Sequence, residues 1–165
     1  MTNKNPKVSS TLVETNEIVL PSHTNAIGTI FGGVLMSWID MIAAICAQRH
    51  AKTVVVTASV DALHFLAPAR LGDVVTLRAR VIYTGKTSLV VRVDAHTENV
   101  RSANRSHCVT ADLSFVALDS NSKPTPVPAV HPETSRELKD FDEAASRRKI
   151  LLSQLKALKS DTKND

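Results

Sequence analysis

Residues 23–40 read H-T-N-A-I-G-T-I-F-G-G-V-L-M-S-W-I-D, and this stretch decides how the chain folds. It begins as a polar loop, passes through Gly32 and Gly33, and continues as a helix that we predict to end near Arg49. The helix is apolar nearly all round. A helix of this kind is enclosed by other structure rather than laid on a surface. We therefore expect the rest of the chain to wrap around it.

Asp40 is the one charge in the middle of this helix, about two turns beyond Gly33. An ionised carboxylate among apolar side chains raises the free energy of the fold unless it is partnered. We therefore expect Asp40 to have a chemical role. The structural alternative is that it caps a neighbouring loop.

After Lys52 the apolar residues change from a helical period to the alternation of half-buried strands. We predict four long antiparallel strands within residues 54–63, 75–81, 89–96 and 107–118, preceded by a shorter strand within 11–20. Each strand has one apolar face, and the helix is the only large apolar object for these faces to cover. The pattern predicts the α+β class, with a curved antiparallel sheet wrapped around one long central α-helix.

Composition divides the chain into five stretches. Residues 1–10 are polar and predicted to be disordered, and residues 11–120 carry the helix and the sheet as one domain. Four of the seven prolines lie in residues 121–132, which predicts a stiff, extended linker. Residues 133–159 are predicted to form a C-terminal helix, followed by a polar tail over 160–165. In that helix Arg147-Arg148-Lys149 is interpreted as a solvated basic face, with a ligand site as the alternative.

Length and composition indicate a soluble, cytoplasmic protein. The 165 residues begin with a polar stretch that lacks a signal peptide, and no apolar run reaches the roughly 18 residues of a membrane span. Cys46 and Cys108 show no disulfide-framework spacing, so we expect two buried, reduced thiols. The net charge of +4 suits either an anionic small ligand or simple solubility.

Several function classes are disfavoured by their missing motifs. The G-K-T of residues 85–87 lacks the glycine of a phosphate-binding loop, because Arg80 stands where that glycine belongs, and a strand follows rather than a helix. No G-x-S-x-G nucleophile elbow is present. The six histidines are scattered, so we expect no metal ion. No dense basic stripe with interleaved aromatics indicates nucleic-acid binding.

Three segments closely resemble one family. They are N-A-I-G-T-I-F-G-G-V-L-M-S-W-I-D at 25–40, V-D-A-L-H-F-L-A-P-A-R-L-G-D at 60–73 and Y-T-G-K-T-S at 83–88. They resemble the acyl-CoA thioesterases of the hot-dog fold, which include bacterial short-chain acyl-CoA thioesterases and animal cytosolic acyl-CoA hydrolases. The similarity covers about residues 11–118. One departure is His23-Thr24 before Asn25, where the family pattern leads us to expect an acidic residue first.

The resemblance implies an architecture and an assembly. The fold would be the hot-dog fold, and two sheets would pair edge to edge in a homodimer, with three dimers forming a hexamer. Pairing of this kind also removes an exposed edge strand. Each active site would lie at the dimer interface, where Asn25 of one protomer works with Asp40 of the other.

The resemblance also implies the hydrolysis of fatty acyl-CoA to a free acid and coenzyme A. The Gly32 and Gly33 amides, near the start of the helix, would bind the developing oxyanion. Asp40 would act as general base or as nucleophile, two roles that the sequence does not distinguish. Asn25 would orient the water or the carbonyl, with stabilisation of a turn as the structural alternative.

For coenzyme A, the resemblance points to Lys86, Thr87 and Ser88, with Arg148 as a further candidate for the nucleotide. An ordinary solvated turn lysine is the alternative for Lys86. Beyond coenzyme A as part of the substrate, we expect no cofactor. Two other functions stay open: a dehydratase or hydratase of acyl thioesters, for which His64 would be the histidine, and a non-catalytic acyl-CoA or nucleotide sensor.

Overall fold

The structure is a computed structural model that describes residues 6–161, with side chains described as far as residue 154. A five-stranded antiparallel sheet has the strand order β1-β3-β4-β5-β2, and one long helix lies across it. The α+β prediction is therefore confirmed. The elements are a 3-10 helix at Val8–Thr11, β1 at Val13–Ile18, a 3-10 helix at Pro21–His23, α1 at Gly32–Ala51, β2 at Val54–Phe65, β3 at Val74–Thr84, β4 at Ser88–Asn99, β5 at Asn104–Leu118 and α2 at Ser135–Asp161.

The core lies between the inner face of the sheet and one side of α1. Alternation along the central strands brings every second side chain to this face. Burying one such aliphatic or aromatic side chain stabilises the fold by about 1.5–3 kcal/mol. The fully buried members include Leu77 and Val81 of β3, Leu89 and Val93 of β4, Leu113 and Phe115 of β5, and Leu35 and Ile39 of α1.

Helix α1 ends two residues later than predicted. Lys52 caps it in the left-handed conformation with φ of 55°, and its backbone N–H donates to the Gln48 carbonyl. Left-handed caps of this kind satisfy a carbonyl that the last helical turn leaves unpaired. A lysine is not a typical residue for such a cap, so nothing in the sequence extends the predicted helix beyond Arg49.

The enclosure of α1 is only partial within one chain. Met41 is 56% exposed and Ile45 is 44% exposed, because the curved sheet covers one side of the helix and leaves the other open. An apolar pattern all round a helix shows that the helix is covered, but it does not say which chain covers it.

Strand β2 forms one edge of the sheet, and it exposes apolar side chains. It pairs with β5 on one side, and Val54, Val56 and Val60 are exposed. Its pairing with β5 shifts register twice, between Thr57 and Ser59 and again after Val60, so the simple alternation predicted for this strand does not hold. An apolar edge strand is a ready surface for pairing with another chain.

Helix α2 covers the outer face of the sheet, the face that points away from α1. Ala144 is buried against Ile82 and Val90, and the Phe141 ring lies 5.0 Å from the Tyr83 ring. The solvated basic face predicted for α2 is wrong for Arg147, whose guanidinium donates to the buried Asp112 carboxylate. Sequence spacing within α2 carries no signal for that partner, because the partner belongs to β5.

The N-terminal prediction of disorder over residues 1–10 is also wrong where the structure describes that stretch. Val8 is buried, and two backbone hydrogen bonds join this segment to His131: the Val8 N–H donates to the His131 carbonyl at 3.1 Å, and the His131 N–H donates to the Pro6 carbonyl at 2.9 Å. Residues 1–5 and 162–165 lie outside the described part of the chain. Residues 160 and 161, predicted as tail, belong to α2.

Candidate active site

The loop before α1 is held by the Asn25 side chain. Asn25 Oδ1 accepts hydrogen bonds from the backbone N–H groups of Ile27 and Thr29, and its Nδ2 donates to Thr29 Oγ1 at 2.9 Å. Asn25 therefore does stabilise a turn, the structural alternative given above. An amide nitrogen carries two hydrogens, and among the described residues one of them has no acceptor. That hydrogen is available to a ligand.

Helix α1 begins without a side-chain cap. The first helical hydrogen bond runs from the Leu35 N–H to the carbonyl of Phe31, the capping position. Within residues 6–161, the N–H groups of Gly32, Gly33 and Val34 therefore have no acceptor. The helix dipole adds a partial positive charge at this end, so the three amides form a site for a developing negative charge.

An apolar cavity of about 410 Å³ opens beside these amides, with Gly32 in its wall. A Cβ at Gly32 would lie 3.4 Å from the Phe65 ring, so that ring lies directly over the start of α1. Sequence reasoning missed this cavity, because its wall combines the start of α1 with a loop and a strand that are distant in the chain. Its lining consists of Thr29, Ile30, Gly32, Leu35, Phe65, Leu66, Ala67, Pro68, Ala69 and Cys108.

Asp40 is partly exposed rather than enclosed, which corrects the expectation of a buried charge. Thr57 on β2 donates a hydrogen bond from its hydroxyl to Asp40 Oδ1 at 2.8 Å. Both side chains lie near the open edge of the sheet, because β2 is the edge strand. Thr57 was not among the predicted site residues, since nothing in its local sequence distinguishes it from other polar strand positions.

One chain does not bring Asp40 to its own Gly32 amides. The two residues are eight positions apart on one straight helix, which separates them by about 12 Å along its axis. The described residues therefore contain two separate groups of polar atoms, which we call half-sites. The first comprises Asn25 and the amides at the start of α1, and the second comprises Asp40 and Thr57.

The predicted coenzyme A residues lie away from the Gly32 cavity of the same chain. Lys86 and Thr87 lie in the β3–β4 turn and Ser88 begins β4, and the Val127 N–H donates to the Lys86 carbonyl at 3.1 Å. The neighbouring Pro128 carbonyl accepts a hydrogen bond from His50 near the end of α1, which is about 27 Å along the axis from Gly32. The turn therefore lies near the opposite end of α1 from the Gly32 amides.

Arg148 lies on α2, which packs on the outer face of the sheet, and it lines no part of the Gly32 cavity. Its Nε is buried and has no hydrogen-bond partner within the described side chains. The structure thus does not bring Arg148 together with Asn25, Gly32 or Asp40 in one chain.

The cysteines and histidines considered from the sequence lie in different surroundings. Both cysteines are buried, as predicted; burial raises the pKa of Cys46 to about 12 and also raises the pKa of Cys108. Burial lowers the pKa of His50, against the opposing effect of its bond to the Pro128 carbonyl. His64 is exposed on β2. The described residues contain no group of three His, Cys, Asp or Glu side chains arranged to hold a metal ion.

Comparison with known proteins identifies the family. Residues 27–104 match the Thioesterase superfamily. An uncharacterised acyl-CoA thioester hydrolase of Bacillus subtilis is 44% identical over 138 residues, which cover 84% of this chain and 80% of that protein. This chain belongs to the thioesterase superfamily. The rat cytosolic acyl coenzyme A thioester hydrolase is 39% identical over 132 residues, 79% of this chain but only 35% of that longer protein.

Solved structures of the family confirm the hot-dog fold. The acyl-CoA hydrolase of Staphylococcus aureus in complex with butyryl coenzyme A superposes with a TM-score of 0.86 at 37% identity, covering 95% of this chain and 96% of that one. A hexameric acyl-CoA thioesterase superposes with a TM-score of 0.85 at 38% identity, covering 90% and 96% of the two chains. Neither helix of this thioesterase, as far as residue 161, is long and apolar enough to cross a membrane.

Proposed function

We propose that this chain is an acyl-CoA thioester hydrolase, which cleaves fatty acyl-CoA to a free acid and coenzyme A. The observation that carries the proposal is the uncapped start of α1, where Gly32 lines an apolar cavity. Three free amides beside an apolar cavity suit a thioester carbonyl attached to an alkyl chain. The names of the Bacillus, rat and Staphylococcus relatives support this substrate class.

Each active site is completed by two protomers. The distance of about 12 Å along α1 keeps Asp40 from the Gly32 amides of its own chain. The exposed apolar edge of β2, which carries Thr57 beside Asp40, is the surface through which two copies pair. Asp40 and Thr57 of one protomer then face Asn25 and Gly32 of the other. The hexameric assemblies of solved relatives support three such dimers as the full complex.

The spacing of three residues supports their roles. Three solved variants of the Staphylococcus aureus hydrolase each replace one residue with alanine: an asparagine, an aspartate or a threonine. In that protein the aspartate follows the asparagine by 15 positions, and the threonine follows the aspartate by 17. Asn25, Asp40 and Thr57 have the same separations, since 40 − 25 is 15 and 57 − 40 is 17. We therefore add Thr57 to the proposed site, as a residue that positions Asp40.

The reaction follows from these groups. The thioester oxygen accepts hydrogen bonds from the Gly32 and Gly33 amides, which stabilise the oxyanion as it forms. Asp40, oriented by the Thr57 hydroxyl, removes a proton from water whose oxygen attacks the carbonyl carbon. The tetrahedral intermediate then expels the coenzyme A thiolate, which takes up the proton. In the covalent alternative an Asp40 oxygen attacks the carbonyl carbon and expels the coenzyme A thiolate. Water then hydrolyses the resulting anhydride, which releases the free acid, restores the Asp40 carboxylate and supplies the proton that the thiolate takes up.

The rest of the substrate extends away from the cavity toward the surface. Lys86, Thr87 and Ser88 are proposed to bind coenzyme A from the partner protomer, and Arg148 is the further candidate for its nucleotide. Hydrolysis requires only water besides the substrate, so the proposal includes no cofactor. The cytosolic relative in rat supports a cytoplasmic location.

The alternatives have less support. A dehydratase would need its histidine at the reacting carbons, and His64 is exposed on β2 and lines no part of the cavity. A sensor would bind acyl-CoA without turnover. Enoyl product without free coenzyme A would indicate the dehydratase, and binding without release of thiol would indicate the sensor.

The decisive experiment measures free thiol released from acyl-CoA substrates. We expect the wild-type chain to release coenzyme A and Asp40→Ala to lower kcat by about 10²- to 10⁴-fold, the usual contribution of a positioned acid–base group. Asp142→Ala, at an exposed acid on α2, is the matched control and should retain full activity. Full activity in Asp40→Ala would refute the proposed role.

A further inference from the structure

The cavity beside Gly32 is lined by exposed side chains at its mouth and by buried side chains at its floor. Phe65 and Leu66 are exposed at its mouth. Its floor is formed by side chains that are almost completely buried: Leu35 from α1, Ala69 from the loop between β2 and β3, and Cys108 from β5. A volume of about 410 Å³ lies within the range of small-molecule sites in proteins.

Several polar groups of the cavity wall bond to one another. The Cys108 thiol donates to the Ala67 carbonyl at 3.0 Å, and the Leu66 N–H donates to the Cys108 carbonyl at 2.8 Å. The Thr29 hydroxyl is engaged by Asn25. The amides at the start of α1, which have no acceptor among the described residues, lie at the edge of the cavity.

Building on the proposed function, we propose that this cavity holds the acyl chain of the substrate and that Cys108 and Ala69 at its floor set the longest chain accepted. The pantetheine arm of coenzyme A carries two amides and a hydroxyl, which would lose hydrogen bonds to water here without replacement. An alkyl chain has no such groups and gains by leaving water. With its carbonyl at Gly32, the chain points inward past Leu35.

Cys108 and Ala69 suit a length limit because both are small. A larger side chain at either position would fill the end of the cavity while leaving the amides at Gly32 untouched. Short acyl chains would then bind as before, and long ones would be excluded by steric overlap. A smaller side chain at Cys108 would lengthen the cavity.

The test compares Cys108→Met with Cys46→Met. Cys46 is equally buried but lies in the second half of α1 and lines a different cavity, so its variant controls for enlarging a buried cysteine. We measure kcat/KM for butyryl-, octanoyl- and palmitoyl-CoA by thiol release. Cys108→Met should lower the ratio of palmitoyl to butyryl activity by at least about tenfold, whereas Cys46→Met should leave this ratio unchanged.

Two further measurements keep the inference separate from the proposed function. Cys108→Ala, which removes atoms rather than adding them, should raise the ratio of palmitoyl to butyryl activity. Affinities for non-hydrolysable acyl-CoA thioethers of the same three lengths test the cavity without any catalysis. A wild-type chain that releases no thiol, combined with a chain-length shift in these affinities, would refute hydrolysis and retain the acyl cavity. If the Cys108 variants changed kcat/KM by the same factor for all three acyl chain lengths, the inference would be overturned.

Discussion

At the scale of single residues, the hydrogen bond between Thr57 and Asp40 is the contact that local sequence could not reveal. Thr57 donates at 2.8 Å to Oδ1, which leaves the second carboxylate oxygen free to act on water. A hydroxyl that fixes one oxygen orients the other without adding charge. Thr57 is therefore a positioning residue that acts through Asp40.

Thr57→Val removes this hydrogen bond and keeps the shape of the side chain. Hydrogen bonds to charged groups contribute about 1.5–3 kcal/mol, so we expect kcat to fall by about 10- to 100-fold. KM should change little, because the lost contact acts on the water rather than on the substrate. Thr76→Val on β3 removes a comparable hydroxyl contact, the bond to Asn16, and should leave kcat unchanged. Equal kcat values in the two variants would contradict the assignment.

Substitution of Gly33 should change stability and activity in opposite directions. A Cβ at this position meets no atom within 4 Å, and the residue has an ordinary helical conformation. Gly33→Ala should therefore stabilise the chain by up to about 1 kcal/mol. The same Cβ should hinder the oxyanion from reaching the amides, so activity should fall by about tenfold or more. Thermal unfolding and thiol release measure both effects.

Gln48→Ala provides the comparison for Gly33→Ala. It changes an exposed position near the end of the same helix, about 21 Å along the axis from the unpaired Val34 amide, and it should leave activity unaltered. If Gly33→Ala kept full activity, the amides at the start of α1 would not be the oxyanion site.

At the scale of elements, the contact between α2 and the sheet depends on a buried ionic cluster. Asp112, 1% exposed, accepts two hydrogen bonds from Arg92 at 2.7 and 2.8 Å and a third from Arg147. Arg92 also donates to Asp140 on α2 at 2.5 Å. The hydrogen bonds to Asp112 and the neighbouring carboxylates raise the pKa of Arg92, against the effect of burial. Two arginines and two aspartates thus join β4, β5 and α2.

Asp112→Ala should destabilise the chain far more than the loss of an exposed ion pair. Removing one partner of a buried pair costs about 3–5 kcal/mol, because the remaining charge stays buried without compensation. Glu14→Ala breaks the exposed pair between Glu14 and Arg78 and should cost less than about 1 kcal/mol. Denaturant unfolding of both variants measures the difference, and equal losses would show that the cluster does not hold α2 in place.

Local pattern predicted the elements, but it did not predict how distant elements meet. The alternation in β3 and β4 and the glycines at the start of α1 indicated the fold, because those signals lie within one element. Arg147 bonds to Asp112, which lies more than thirty positions away in the sequence. The bulges of β2 likewise depend on its pairing with the distant strand β5. In the site, Asn25 holds the loop that leads to Gly32 and Gly33 at the start of α1, and the catalytic roles of these three residues and of Asp40 stay predictions. Thr57 and the floor of the cavity were missed, because they join the site only through tertiary contacts.

At the scale of the whole molecule, apolar surfaces remain open on the described part of the chain, and two of them adjoin α1 and β2. One is the edge of β2 with Val54, Val56 and Val60, and the other is the side of α1 with Met41 and Ile45. A hexamer built from dimers needs two different interfaces on each protomer. The β2 edge adjoins the half-site of Asp40 and Thr57, so we assign it to the dimer that completes the active site.

Complementation between two inactive variants tests this shared site. In a dimer of Asp40→Ala with Asn25→Ala, one site carries both substitutions and the other carries neither. Equal co-expression with random pairing makes half of the dimers mixed, so activity should recover to about a quarter of wild type. In the control mixture, Asp40→Ala is co-expressed with the double variant Asn25→Ala/Asp40→Ala. No dimer in this mixture has an intact site, so no activity should return. A protomer with a complete site of its own would give no recovery in either mixture, because each chain would still carry its own defect.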